Sequence, residues 1–160
     1  VWRLPYKRIS DGPEKHKRVL LEEGGTCSSK HALLAALARE EKIPVSFVLG
    51  FYELNEHNTP GSGETLHHYG LDGVPESHCW LEYQDHWIDV TGPADGSQPN
   101  LNLSQRRTYF RLIIIQPEDI GSKREELHRV AIQDWLSGEN LGFSVDQILA
   151  ILAECKSRVR

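Results

Sequence analysis

The stretch Ser77-His78-Cys79-Trp80-Leu81-Glu82-Tyr83-Gln84-Asp85-His86-Trp87-Ile88-Asp89-Val90-Thr91 decides the fold. Ser77 to Tyr83 and His86 to Val90 read as two strands joined at Gln84-Asp85 into a hairpin. Period-two alternation puts His78, Trp80 and Glu82 on one face and Cys79, Leu81 and Tyr83 on the other, so His78 and Cys79 are not expected to serve one site. With a two-residue loop, Tyr83 pairs with His86 and His78 comes opposite Thr91. Asp89 then falls diagonally on the His78 face, within about 7–8 Å between backbones. A three-residue loop without a bulge would reverse that parity and send Asp89 to the other face.

Upstream, Gly24-Gly25 breaks any regular element, and Thr26-Cys27 opens a run rich in Ala and Leu that continues to Pro44. Apolar residues at helical spacing predict a buried helix of about four turns, with Thr26 as N-cap and Cys27 in its first turn. Free N–H groups and the positive end of the helix dipole stabilise a thiolate there. Cys27, His78 and Asp89 thus form a candidate nucleophile, base and orienting acid: the thiol needs a base to become a thiolate, and the base needs a third group to fix its orientation. The Cys27 N–H is a natural oxyanion donor.

The remaining chain is read around this core. Residues 1–25 form a polar lead-in with a helical turn near Val19 to Glu22, and Val45 to Leu54 reads as a strand. Asn55 to Val74 reads as a long loop, and Arg111 to Gln116 as a buried strand. Two C-terminal helices, about 122–137 and 144–158, start at Ser122 with Glu125 and at Ser144 with Gln147, both matching the capping-box pattern. At 160 residues the chain is read as a single domain of α+β class, with the Cys27 helix packed on an antiparallel sheet and C-terminal helices covering that sheet.

Composition removes several classes of function. The 39% hydrophobic and 26% charged content is that of a soluble protein, and no apolar run approaches the roughly 20 residues of a membrane span. A net charge of −5 offers no electrostatic footprint for nucleic acid or an anionic membrane. The three cysteines are widely spaced and unpaired in pattern, which fits a reducing, cytoplasmic setting. The opening Trp2, Arg3 and Pro5 lack the pattern of a signal peptide, yet there is no methionine even at position 1, so a piece trimmed from a longer chain fits equally well.

Gly25-Thr26-Cys27 opening a helix, His78-Cys79-Trp80-Leu81-Glu82 and Trp87-Ile88-Asp89-Val90-Thr91 together resemble the transglutaminase-like branch of the papain-like cysteine enzymes. The resemblance covers about residues 24–92, the catalytic core. It implies an enzyme that forms a thioester with an acyl group taken from an amide and passes it to water or an amine, with Cys27 as nucleophile, His78 as base and Asp89 as orienting acid. Some members use an upstream indole N–H as a second oxyanion donor, which makes Trp2 a candidate here. Lys30, in the Ser28-Ser29-Lys30 run that departs from the family's usual residues, either tunes the pocket charge or is a solvated helix residue.

Trp80 is expected as core or pocket wall, Glu82 as structural, and Cys79 and Cys155 as packing residues. His57, His67 and His68 read as loop residues; adjacent histidines on an extended segment point apart and lack the spacing of a closed zinc site. No metal and no cofactor is expected, and the partner is a peptide or amide substrate. Two other readings stand beside this one: acyl transfer from a thioester cofactor, as in arylamine N-acetyltransferases, and a binding domain that kept the fold without turnover.

Overall fold

A computed structural model describes residues 1–92 and 108–158. A short helix α1 (Arg18–Leu21) precedes α2 (Cys27–Glu40), β1 (Ser46–Leu54), α3 (Gly63–His68), β2 (Val74–Tyr83) and β3 (His86–Ile88). Beyond residue 107 follow β4 (Tyr109–Ile114), α4 (Ser122–Glu139) and α5 (Val145–Arg158). The strands form one antiparallel sheet in the order β3-β2-β1-β4. The architecture is mixed α+β.

The hairpin has the two-residue loop. Tyr83 pairs with His86, Glu82 with Trp87 and Leu81 with Ile88. Gln84 and Asp85 both take left-handed backbone angles, φ 48° and 61°. That is the pair of positive angles a two-residue turn needs to match strand twist. Pairing ends at Ile88, so the edge of β2 from Val74 to Trp80 carries no partner from β3.

Helix α2 lies on the sheet face formed by Phe47, Leu49, Cys79 and Leu81, meeting it with Ala32 and Ala35, while Ala131 of α4 joins the same cluster. A second cluster joins Tyr52, Leu54 and Val74 to Leu66 of the α3 segment and to Ile148, Ile151 and Leu152 of α5. Each such aliphatic side chain contributes about 1.5–3 kcal/mol through burial.

Four local expectations change. The segment between β1 and β2 contains helix α3, because the Glu56 carboxylate accepts the N–H groups of Gly61 and Gly63 and Leu66 is buried under α5. His67 and His68 therefore lie on a helix and not on an extended segment. The strand expected to be buried at 111–116 runs from Tyr109 to Ile114 at the sheet edge, with Phe110, Leu112 and Ile114 exposed. Ser122 does not cap α4; Gly121, at φ 140°, precedes the helix, and the Glu125 N–H bonds the Gly121 carbonyl. At α5 the expected box forms: the Ser144 N–H donates to Gln147 Oε1 at 2.7 Å and the Gln147 N–H to Ser144 Oγ at 3.2 Å.

Candidate active site

Cys27 is the first residue of α2, after Thr26 in extended conformation, and the Thr26 N–H donates to Ser29 Oγ at 2.9 Å. Its own N–H has no intrahelical acceptor at that position. Gly25 is confined by close approach: a Cβ there would lie 2.7 Å from Ser29 Oγ and 3.1 Å from Lys30 Cγ. The Gly25 backbone also bonds the lead-in, accepting from the Lys7 N–H and donating to the Pro5 carbonyl. This bridge lays Tyr6 beside Gly25, close to the thiol.

Asp89 Oδ2 accepts from His78 Nε2 at 2.6 Å, and Asp89 Oδ1 accepts the Thr91 N–H at 2.9 Å. With Nε2 committed to Asp89, His78 is also the hydrogen-bonding neighbour of the Cys27 thiol. Thiol, imidazole and carboxylate are all buried. Burial opposes the His78 imidazolium, but the Asp89 carboxylate and the Cys27 thiolate outweigh it and raise its pKa to about 9. Burial likewise opposes the Asp89 carboxylate, yet the His78 hydrogen bond and the charges of His78 and His31 hold its pKa well below the usual range. For Cys27 the hydrogen bond from the Cys79 thiol is the largest effect; with His78 and Arg124 it overcomes burial and drives the pKa far down.

Cys79 therefore departs from its expected role as packing alone. Its thiol is buried, is pushed up in pKa by that burial and by Cys27, and meets both Cys27 and the Arg124 guanidinium. Cys79 and His78 lie on opposite faces of β2, and both neighbour Cys27.

Lys30 is completely buried rather than solvated. Its Nζ donates to the Leu4 carbonyl at 2.5 Å and the Thr91 carbonyl at 2.8 Å, tying the lead-in and the segment after β3 to α2. Burial lowers its pKa against the opposing pull of Cys27 and Asp89. Trp80 is a fully buried wall, stacked against His78 with centroids 6.4 Å apart and against Trp87 at 4.8 Å. Its indole N–H donates to Glu82 at 3.0 Å, which gives Glu82 a supporting place. The Trp2 ring packs under the Arg3 guanidinium at 5.3 Å and its carbonyl lies against Gly92. No hydrogen bond joins Trp2 to Cys27 among the described residues.

Residues absent from the sequence reading complete the site. His31, one helical turn beyond Cys27, is fully buried. Its Nε2 accepts the Val90 N–H at 2.7 Å, so its proton sits on Nδ1, which donates to the Cys27 carbonyl at 2.7 Å. Burial holds His31 in its neutral form against the pull of Asp89, whose Oδ1 is 3.6 Å away. The i, i+4 spacing from Cys27 was the available signal. Arg124, at the start of α4, had no signal in the local pattern. Among the described residues, no three His, Cys, Asp or Glu side chains group as metal ligands, and no helix is long and apolar enough to cross a membrane.

An α+β protein with a thiol at a helix start, facing an imidazole and a carboxylate on a neighbouring hairpin, fits a class built around cysteine chemistry. The family model described as the transglutaminase-like superfamily matches residues 2–92, more than half of the chain, and the chain belongs to that superfamily. Neither the curated proteins nor the solved structures gave a match.

Proposed function

We propose that this chain is a thiol-dependent amide or peptide hydrolase or acyltransferase of papain-like architecture, folded as one domain, working through a thioester on Cys27. The observation that carries the reading is the 2.6 Å His78–Asp89 hydrogen bond, with His78 also neighbouring a Cys27 thiol that favours its thiolate. The thiolate attacks the carbonyl carbon of an amide, and the negative charge on oxygen is met by the Cys27 N–H. The C–N bond breaks as His78 passes its proton to the leaving amine. His78, now neutral, accepts a proton from the incoming water or amine, whose attack on the thioester releases the acyl product and the thiolate. Asp89 keeps the imidazole oriented throughout.

The test is intact-mass spectrometry after reaction with p-nitrophenyl acetate. One acetyl group should appear on Cys27, vanish in Cys27→Ala and be formed far more slowly in His78→Asn. A screen of acyl-CoA against peptide amides then identifies the acyl donor. Equal acetylation of Cys27 and Cys155 in the native protein would sink the reading.

A further inference from the structure

Arg124 is a half-buried cation with no carboxylate partner among the described residues. Its Nη2 donates to the Ser77 hydroxyl at 2.6 Å, on the β2 face that also carries Cys79, and the guanidinium meets the Cys79 thiol. Its Nε is buried with no hydrogen-bond partner. Arg18, Arg39, Arg111, Arg129 and Arg158 each pair with an Asp or Glu. Arg124 forms no such pair among the described residues. The carboxylate whose charge reaches it, Glu76, is already engaged: Oε1 accepts the Ser77 N–H at 2.6 Å, and Oε2 pairs with Lys156 of α5. Glu125 and Glu126, its neighbours on α4, are exposed.

Withdrawing a guanidinium from water costs free energy that an anion or a full set of acceptors must offset. The Cys27 thiolate is one anion within its influence, but that charge disappears whenever the sulfur is acylated. A thiolate also cannot occupy the planar fork of donors that a carboxylate matches with two parallel bonds. An incoming carboxylate would satisfy the idle Nε and supply the missing counter-charge.

We propose that Arg124 forms a carboxylate-binding subsite beside Cys27, so that the preferred acyl donor carries a carboxylate close to the amide that is cleaved. The proposal rests on Cys27 being the nucleophile. Tyr6, 45% exposed and bridged to Gly25, is close enough to respond to the charges of both Cys27 and Arg124. The carboxylate comes either from a peptide C-terminus or from an Asp or Glu side chain.

Iodoacetate and iodoacetamide alkylate a thiolate by the same displacement and differ by a carboxylate against an amide, so their rate ratio at Cys27 reads the subsite directly. Measured by peptide-resolved mass spectrometry, the ratio should exceed that of a free cysteine peptide by about tenfold, the worth of one charge-assisted pair. Arg124→Gln should return it to the peptide value, and Arg124→Lys should keep part of the gain. An unchanged ratio in Arg124→Gln, with both rates falling together, makes Arg124 a counter-charge for the thiolate only and overturns the proposal.

Protection of the native protein against iodoacetamide supplies an arm that does not depend on a variant folding. Acetyl-Ala-Ala with a free C-terminus should protect if the main-chain carboxylate is bound, and amidated acetyl-Asp-Ala if the side chain is. Equal protection by amidated acetyl-Ala-Ala, or protection by none of the three, counts against the subsite. Should iodoacetamide alkylate Cys27 no faster than Cys155, the catalytic reading falls, while the ratio, internal to one cysteine, still decides the subsite.

Discussion

His31 holds the Cys27 carbonyl at 2.7 Å through Nδ1, while its Nε2 takes the Val90 N–H at the same distance. One neutral imidazole thus fixes the start of α2 against the residue that follows Asp89. His31→Ala strands the Val90 N–H in a partly buried setting. The expected loss of stability is about 1–3 kcal/mol, seen as a lower urea midpoint. Iodoacetamide labelling of Cys27 should slow as well, since the helix start is no longer pinned to the Asp89 segment. A midpoint equal to that of the native protein would show that water or a neighbour replaces the ring.

Asp89→Asn isolates the orienting role. The Asn carbonyl oxygen can still accept the Thr91 N–H, but its amide group donates toward His78 Nε2, a nitrogen that itself donates in the native protein. The proton is then forced onto Nδ1 when the ring is neutral, and that nitrogen can no longer accept from a nucleophile. Acyl transfer should fall on the order of 10³–10⁴-fold with the fold intact, as judged by circular dichroism and kcat/KM. A fall of less than tenfold would mean that His78 is held by other contacts.

The hairpin register was legible because the Tyr83–His86 pairing needs only a two-residue loop, and that register alone puts Asp89 beside His78. The caps at Thr26 and Ser144 were legible for the same local reason. Contacts distant in sequence were not. Leu66 makes α3 stable only once α5 has packed over it, and Arg124 reaches Cys79 only after α4 folds across the sheet. Alternation put Cys79 and His78 on opposite faces, as the unbroken β1–β2 register has them, but it carries no information about a thiol that arrives from another element. Lys30 stayed open between tuning the pocket charge and a solvated helix position because its acceptors, the carbonyls of Leu4 and Thr91, leave no mark on the helical pattern.

Cys27 and His78 affect stability with opposite signs as pH changes. His78 has a folded pKa of about 9, above its unfolded value of about 6.5, so its contribution is complete below about 6.5 and is lost as pH rises through 9. Cys27 has a depressed folded pKa, so its contribution is complete above its unfolded value of about 8.5 and is lost as pH falls. Between about 6.5 and 8.5 both the folded and unfolded pairs hold one proton, and the urea midpoint of the native protein should be level with respect to this pair. Cys27→Ala removes the rising arm, so its midpoint should decline across that window. Parallel profiles for the two proteins would refute the ion pair. In catalysis, kcat/KM should fall above about pH 9, when His78 loses the proton it gives to the leaving amine.

Gly50 pairs with His78 across the β1–β2 ladder, and a Cβ at Gly50 would come within 2.5 Å of both the Trp80 and Tyr109 rings. The two rings pack at a tilt, with centroids 4.7 Å apart, and Trp80 is fully buried, so its ring has no free space to yield. Gly50→Ala should therefore cost about 1–3 kcal/mol through overpacking, measured as a lower urea midpoint. The damage should extend to chemistry, because the displaced Trp80 is the ring stacked against His78. Cys27 alkylation near pH 6 should slow together with the loss of stability. Gly70→Ala is the control for added bulk: a Cβ there meets nothing within 4 Å, and its strain at φ 68° lies in an exposed turn away from these rings. If Gly70→Ala slows the alkylation as much as Gly50→Ala does, the link from Gly50 through Trp80 to His78 is wrong.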